Sequence, residues 1–220
     1  MKDIVIFGTG DFAQVARVYF DRDSEYRVVA FTVDEPYVGN GRLDGLPIVA
    51  FEHLGESHPR ESHAMFVAIG FSRVNRARAG VYERCRSAGY ELVSYVNSKT
   101  SVFGDLEVGD NCFVFEENVI QPFVRLGNDV ILWSGNHIGH HCRIGDHTFI
   151  ASHAVISGGV TIGERCFVGV NATFRDGVTV APDCVIGAGA LIMKDTVKGG
   201  VYAVRGTEPL EKKSWDLEGF

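Results

Sequence analysis

The chain has 220 residues, of which 45% are hydrophobic, and a formal net charge of −7 at pH 7. Its length fits one large or two small domains, and its apolar content is sufficient for a core. The negative charge argues against nucleic acid as a partner, because such binding normally requires a basic surface. No signal peptide is evident and no apolar run approaches the roughly 20 residues of a membrane span, so we expect a soluble, cytoplasmic protein with no membrane insertion.

The N-terminal part of the chain predicts an α/β unit. An apolar strand at 3–7 leads into the turn Gly8-Thr9-Gly10-Asp11-Phe12-Ala13 and a helical pattern, and Asp34 follows the second strand. The predicted elements that follow the first helix are a strand at 28–33, a strand at 65–70, a helix at 73–88 and a strand at 92–96. Glycines before a helix allow a phosphate to approach the backbone, and Asp34 lies where a Rossmann unit would bind a ribose. Only half of a doubly wound sheet is present, which favours a mononucleotide or nucleotide-sugar site over NAD, although a βα turn without a ligand has the same sequence.

The segment from Val96 to Ile192 has a large apolar residue at every sixth position. These positions are Val96, Val102, Val108, Val114, Ile120, Leu126, Leu132, Ile138, Ile144, Ile150, Ile156, Ile162, Val168, Phe174, Val180, Ile186 and Ile192. A period of six fits neither a helix nor a plain strand, but it is typical of the repeated strand and turn of a hexapeptide parallel β-helix. Since three hexads make one coil of eighteen residues, residues eighteen apart are expected to stack.

A second column of smaller residues lies two positions before each large one and includes four of the five cysteines. These are Cys112, Cys142, Cys166 and Cys184. Strand side chains alternate, so both columns face inward, and we expect these cysteines to be buried apolar residues rather than redox groups or ligands. The pattern ends where Lys198 occupies the next inward position. We therefore expect domains at 1–95 and 96–197 and a C-terminal extension at 198–220.

Five of the eight histidines lie between His137 and His153. Three of them, His141, His147 and His153, are six residues apart, which places them at three different corners of one coil, where they cannot converge. Zinc could be bound between subunits, as in γ-type carbonic anhydrases. However, the H-x4-H pair of those enzymes is missing, and no metal is expected.

The remaining chemistry is acyl transfer. A histidine beside a cleft can accept a proton at neutral pH, and a glycine N–H can stabilise the oxyanion formed from a thioester. Gly158 lies eighteen residues after His140, so it is expected one coil above it, at about 5 Å. Cys142 is an inward position and supplies no nucleophile, which favours direct transfer over a covalent intermediate.

The chain resembles the hexapeptide-repeat sugar acyltransferases of the sialic acid O-acetyltransferase and bacillosamine N-acetyltransferase type. The resemblance covers nearly the whole chain and is carried by 4–13, 66–70, 138–145 and 187–190. It implies an α/β N-terminal Rossmann-like half-domain followed by an all-β left-handed parallel β-helix. It also implies a homotrimer whose active sites lie between subunits.

The same resemblance implies roles for individual residues. His140 would be the general base, with His141 in the place of the usual acidic neighbour. The residues implied in acetyl-CoA binding are Gly158, Val170, Ala188 and Arg205. Those implied in binding the nucleotide or sugar are Gly8, Thr9, Gly10, Phe12 and Asp34. The Gly-His-Gly of many relatives is replaced here by Asp11-Phe12-Ala13.

Our leading hypothesis is an acetyl-CoA-dependent N-acetyltransferase that acts on the amino group of a nucleotide-linked amino sugar used for surface glycans such as O-antigen. O-acetylation of a sugar would use the same residues and stays open. The alternatives of other classes are a trimeric metal-dependent enzyme like the γ-carbonic anhydrases, a nicotinamide-dependent enzyme and a non-catalytic assembly subunit.

Overall fold

The computed structural model describes residues 2–209 and 211–216. Its N-terminal part is an α/β unit around a five-stranded sheet. The elements are β1 (Lys2–Phe7), α1 (Asp11–Asp23), β2 (Tyr26–Val33), β3 (Arg42–Leu43), β4 (Leu46–Ala50), α2 (Leu54–Ser57), β5 (Ala64–Val67) and α3 (Arg76–Ser87), with 3₁₀ turns at Glu35–Tyr37 and Phe51–His53. The strand order is β3-β4-β2-β1-β5, and only β3 is antiparallel to its neighbour. The central strands are apolar on both faces because helices and the β-helix cover the sheet from both sides.

The third helix begins later than the sequence predicts. Arg73, Val74 and Asn75 have φ angles of 54°, 53° and 62°, which lie in the left-handed region. This conformation is disfavoured for side chains with a Cβ and strongly so for a β-branched valine. It is held in place by the buried Asn75 amide, which donates to the Cys166 carbonyl at 2.8 Å. A contact with the distant β-helix therefore decides where α3 starts.

The rest of the chain is a left-handed parallel β-helix with three walls of two-residue strands. The docking wall contains Tyr95–Val96, Phe113–Val114, Ile131–Leu132, Phe149–Ile150, Phe167–Val168, Val185–Ile186 and Val201–Tyr202. The apolar wall contains Ser101–Val102, Val119–Ile120, His137–Ile138, Val155–Ile156, Thr173–Phe174 and Leu191–Ile192. The charged wall contains Glu107–Val108, Arg125–Leu126, Arg143–Ile144, Thr161–Ile162 and Thr179–Val180.

The hexad prediction of the core is confirmed. Val108, Leu126, Ile144, Ile162 and Val180 pair in register along the charged wall. The four cysteines of the small column are buried in the same core. Val96 and Val102 differ, since each is 37% exposed. They belong to the first coil, which has no coil beneath it.

Every corner from 110–111 to 188–189 has a positive φ at its second residue. Asn, Asp and His adopt this left-handed conformation more readily than other residues with a Cβ. His141, His147 and His153 have φ values of 59°, 60° and 61°. Their spacing of six thus follows from the corner conformation, and they lie at three different corners, as expected.

The N-terminal unit packs on the docking wall through an aromatic cluster. Phe20 and Phe66 lie 5.6 Å and 5.3 Å from Phe113, measured between ring centroids, and Phe115 stacks on Trp133 at 4.4 Å. The outward side chains of the docking wall therefore complete the hydrophobic core between α1 and the N-terminal sheet. One of the three walls is covered within the chain.

A buried ion pair joins the two units at the interdomain corner, which contains 110–111, 128–129, 146–147, 164–165 and 182–183. The side chains of Arg78 on α3 and Asp129 are both 0% exposed, with Nε 3.0 Å from Oδ2. The guanidinium also donates to the His147 carbonyl at 2.7 Å and to Asn75 Oδ1 at 3.1 Å. His147 Nδ1 lies 2.9 Å from the same Oδ2, and the Asn111 amide donates to Asp129 Oδ1 at 2.8 Å. Such a pair is tolerated in a core because each polar group has a partner.

Strand pairing of the β-helix continues across the predicted boundaries at 95/96 and 197/198. Tyr95–Val96 pairs with Phe113–Val114, and Val201–Tyr202 pairs with Val185–Ile186. The chain stays on the coil past Lys198, since the Gly199 N–H donates to the Pro182 carbonyl at 3.0 Å. It then adds one more strand, so the docking wall extends into the predicted C-terminal extension. None of the helices in the described ranges is long and apolar enough to span a membrane.

Replacing Arg78 by Leu leaves the Asp129 carboxylate buried without its cation. We expect the free energy of unfolding, measured by urea denaturation, to fall by about 3–5 kcal/mol. Arg27→Leu is the matched control, because it removes an arginine from a solvent-exposed pair with Asp3. Arg27→Leu should lower the free energy of unfolding by much less than Arg78→Leu does. Equal losses for the two variants would contradict a special role of the buried pair.

Candidate active site

The exposed histidines His140 and His141 lie on the corner between the apolar and charged walls, which we call the histidine corner. It contains 104–105, 122–123, 140–141, 158–159 and 176–177. The His140 N–H donates to Gln121 Oε1 at 2.9 Å, and its carbonyl accepts from the Gly159 N–H at 2.8 Å. The coils below and above therefore both fix the backbone of His140.

The two imidazoles are joined through their Nδ1 atoms, which lie 3.1 Å apart. A hydrogen bond between two ring nitrogens needs one donor and one acceptor, so the rings share a single proton. When His140 donates, its Nε2 has a free lone pair and can act as a base. His141 can thus orient His140 in place of a carboxylate.

Gly158 lies directly against the His140 ring. A Cβ at this position would come within 2.5 Å of His140 Cε1 and 2.7 Å of Nε2. Only glycine allows the imidazole to rest on the next coil. The two residues that the sequence pairs by their spacing of eighteen are therefore in contact.

The Gly158 N–H, predicted to bind the thioester oxygen, is already bonded to another group. It donates to Asp176 Oδ1 at 3.0 Å. Asp176 is exposed and lies one coil further up in the same stack. Sequence reasoning missed this residue, although its position eighteen after Gly158 was a usable signal. The oxyanion role of Gly158 stays a prediction that requires the carboxylate to move away.

The residues predicted for acetyl-CoA binding lie on two different corners. Val170 and Ala188 stack on the open corner, between the docking and apolar walls, where the Gly189 N–H donates to the Val170 carbonyl at 2.8 Å. Val170 is 45% exposed. Arg205 is exposed and follows the last strand, whose end passes over Gly187. Within one chain, none of these three lies on the corner of His140 and Gly158.

Two glycines of the N-terminal turn have different constraints. Gly8 has φ 122°, and a Cβ there would lie 2.7 Å from the Ala68 carbonyl oxygen, so the fold itself requires glycine. Gly10 precedes α1, and a Cβ there would meet nothing within 4 Å. With half-buried Thr9 beside it, Gly10 leaves the helix N-terminus accessible to an anionic group.

Phe12 and Asp34 both have protein partners. The Phe12 ring lies 5.7 Å from Phe113 and 6.1 Å from Phe66, within the interdomain aromatic cluster. Both Asp34 oxygens accept from the Arg84 guanidinium. Their predicted contacts with substrate stay predictions, and each side chain has a structural role of its own.

The cysteines and histidines form no reactive cluster in the part of the chain that the structure describes. Burial raises the pKa of the Cys142 thiol, which keeps this neighbour of His141 protonated. Among residues 2–209 and 211–216, no three His, Cys, Asp or Glu side chains are grouped as metal ligands. The histidine corner is instead suited to moving a proton at His140 Nε2.

The profile of the bacterial transferase hexapeptide family (six repeats) matches residues 123–158 and 159–194. The matched residues form the central coils of the β-helix. The resemblance to the hexapeptide-repeat sugar acyltransferases is confirmed. No curated protein matches the sequence significantly.

Several solved structures share the whole fold. PerB from Caulobacter crescentus, in complex with CoA and GDP-perosamine, is 26% identical and covers 93% of this chain and 95% of its own, with a TM-score of 0.82. The acetyltransferase domain of PglB from Neisseria gonorrhoeae is 25% identical over 96% and 100% of the two chains, with a TM-score of 0.80. WeeI from Acinetobacter baumannii, 19% identical over 91% and 96%, has a TM-score of 0.70 and shows the fold alone.

Gly158→Ala is expected to push the His140 imidazole off the next coil, because the added methyl group would overlap Cε1 and Nε2. A crystal structure of the variant, or the histidine NMR signals, would reveal the displacement. Gly80→Ala is the control, since a Cβ there meets nothing within 4 Å and Gly80 lies inside α3. It should stabilise the fold by about 1 kcal/mol. An unmoved His140 ring in Gly158→Ala would contradict the contact.

Proposed function

We propose that this protein is an acetyl-CoA-dependent N-acetyltransferase acting on the amino group of a nucleotide-linked amino sugar. The reaction is a direct transfer with His140 as general base, and the protein works as a cytoplasmic homotrimer in the synthesis of surface glycans. The observation that supports this most is an exposed imidazole seated on Gly158 and hydrogen-bonded to a second histidine, at a corner of a transferase hexapeptide β-helix. PerB, which shares the fold over both units, was solved with CoA and GDP-perosamine.

The chemistry follows from the free lone pair of His140 Nε2. The acceptor nitrogen attacks the thioester carbonyl carbon, and Nε2 takes the proton that the nitrogen loses as the C–N bond forms. Collapse of the tetrahedral intermediate breaks the C–S bond, and the imidazolium returns the proton to the departing CoA sulfur. A positioned base of this kind contributes about 10²–10⁴-fold to the rate.

Asp176 must release the Gly158 N–H before that group can bind the oxyanion. The carboxylate is exposed, and within residues 2–209 and 211–216 its one hydrogen bond is to the Gly158 N–H, so its displacement by the thioester is a local change. The N–H then points at the site where negative charge develops. Without that release, the carboxylate would oppose the oxyanion.

The residues of the proposed site lie on different sides of one chain. The N-terminal unit covers the docking wall, His140 lies on the opposite corner, and Val170 and Ala188 lie on the open corner. A second copy of the chain can bring an open corner and an N-terminal turn to the histidine corner. The apolar wall between these corners exposes Val119, Val155 and Leu191 at 44%, 41% and 63%, which suits contact with another copy.

The first test is calorimetry with acetyl-CoA, followed by acetyl transfer to GDP-, UDP- and dTDP-linked 4-amino sugars. We expect His140→Ala to lower kcat by about 10²–10⁴-fold. His141→Glu should retain most activity, because a carboxylate can accept the Nδ1 proton of His140. His53→Ala, on an exposed loop of the N-terminal unit, is the control. Full activity of His140→Ala would refute the base, and lack of acetyl-CoA binding by the wild-type protein would refute the function.

The trimer is tested by light scattering. The wild-type mass should be three times the chain mass of 24.1 kDa. Val155→Glu places a charge on the apolar wall and should produce monomers, because an unpaired charge is costly to bury. Thr161→Glu is the control on the charged wall, where its neighbour in register is Arg143. A monomeric wild-type protein with full activity would contradict a site shared between subunits.

A further inference from the structure

A cleft of about 570 Å³ opens on the histidine corner one coil below His140, on the side facing the charged wall. The residues that define its chemistry are Asp105, Glu107, Phe123, Arg125, His141 and Arg143. Its size lies within the range of small-molecule sites. His141 lines this cleft and is hydrogen-bonded to His140, so a molecule bound here is separated from the base by one side chain.

Phe123 is an unusual residue for its position. It is the second residue of its corner, with φ 66°, and its side chain is 67% exposed. A bulky aromatic residue in the left-handed region is strained, and here the strain is not offset by burial. Its ring lies against that of His141, at 4.7 Å between centroids and 39° between planes. The two rings form an exposed flat surface.

The charges of the cleft are balanced. Arg125 pairs with Glu107 at 2.9 Å, while Arg143 has no carboxylate within ion-pair distance in the described ranges. Asp105 is the second acidic group. Two guanidinium groups facing two carboxylates do not favour a polyanion such as a diphosphate. They do provide fixed donors and acceptors for hydroxyl groups and an attraction for an amine.

We propose that this cleft binds the sugar ring of the acceptor, with Phe123 and His141 as the surface on which the ring stacks. The inference rests on the proposed function and adds the subsite that recognises the sugar. The residues assigned to acetyl-CoA lie above His140 in the stack of coils, at Gly158 and beyond, whereas the cleft lies below it. An acceptor in the cleft and a donor above it would approach the base from opposite sides. The apolar face of a pyranose fits the rings, and its hydroxyl groups fit the arginines and carboxylates.

The decisive variant is Phe123→Asn, because asparagine adopts the left-handed conformation more readily than phenylalanine. We expect its resistance to urea to equal or exceed that of the wild-type protein. The KM for the nucleotide sugar that the wild-type protein acetylates fastest should rise about tenfold, the value of a lost stacking contact of about 1.4 kcal/mol. Phe123→Leu, which keeps an apolar side chain without a flat ring, should also raise the KM for the nucleotide sugar.

Two constants and a control variant separate the sugar subsite from other roles of Phe123. The KM for acetyl-CoA and the inhibition constant of the free nucleoside diphosphate should both stay within twofold of wild type, since only the sugar ring loses a contact. Arg73→Asn relaxes an exposed left-handed residue in the turn before α3, with φ 54°. It should leave these two constants and the KM for the nucleotide sugar unchanged.

An unchanged KM for the nucleotide sugar in both Phe123 variants would overturn the inference. So would dissociation of Phe123→Asn into monomers by light scattering, which would make Phe123 a subunit contact. Absence of acetyl transfer by the wild-type protein would count against the proposed function instead.

Discussion

The buried pair of Arg78 and Asp129 determines how the two units of this protein face each other. It ties α3 to the interdomain corner and orders the left-handed turn before that helix through Asn75. Together with the aromatic cluster it covers the docking wall and leaves the other two walls exposed. The histidine corner, between those two walls, therefore faces away from the glycine turn of its own chain. A site that needs both features has to be built by more than one chain.

Most of the fold could be predicted because burial in a β-helix requires apolar residues at a regular spacing in the sequence. Each inward position is apolar at a fixed period, so the large and small columns, the cysteines among them, are visible without any structure. The α/β unit was visible from its strands and glycine turn. The start of α3 was not, because left-handed residues at 73–75 depend on a contact with Cys166, ninety-one residues after Asn75.

The site was predictable in part. The spacing of eighteen places Gly158 against His140, and the structure brings them together. Spacing could not show that Asp176 holds the Gly158 N–H, that His141 shares a proton with His140, or that Arg84 holds Asp34. Those contacts depend on side-chain directions at corners and on pairs far apart in sequence. Phe12 illustrates the same limit, because its place in a glycine turn gave no sign that its ring completes an aromatic cluster.

The corner conformation affects which substitutions a β-helix can accept during evolution. His141, His147 and His153 share one backbone shape, yet one faces solvent beside His140, one is hydrogen-bonded to the buried Asp129, and the ring of the third rests over Gly135. The backbone at each corner is set by the coil and not by the residue that occupies it. A reactive side chain can therefore be gained or lost at a corner through a single substitution while the architecture persists, which makes the β-helix a scaffold whose corner residues can evolve with little effect on folding.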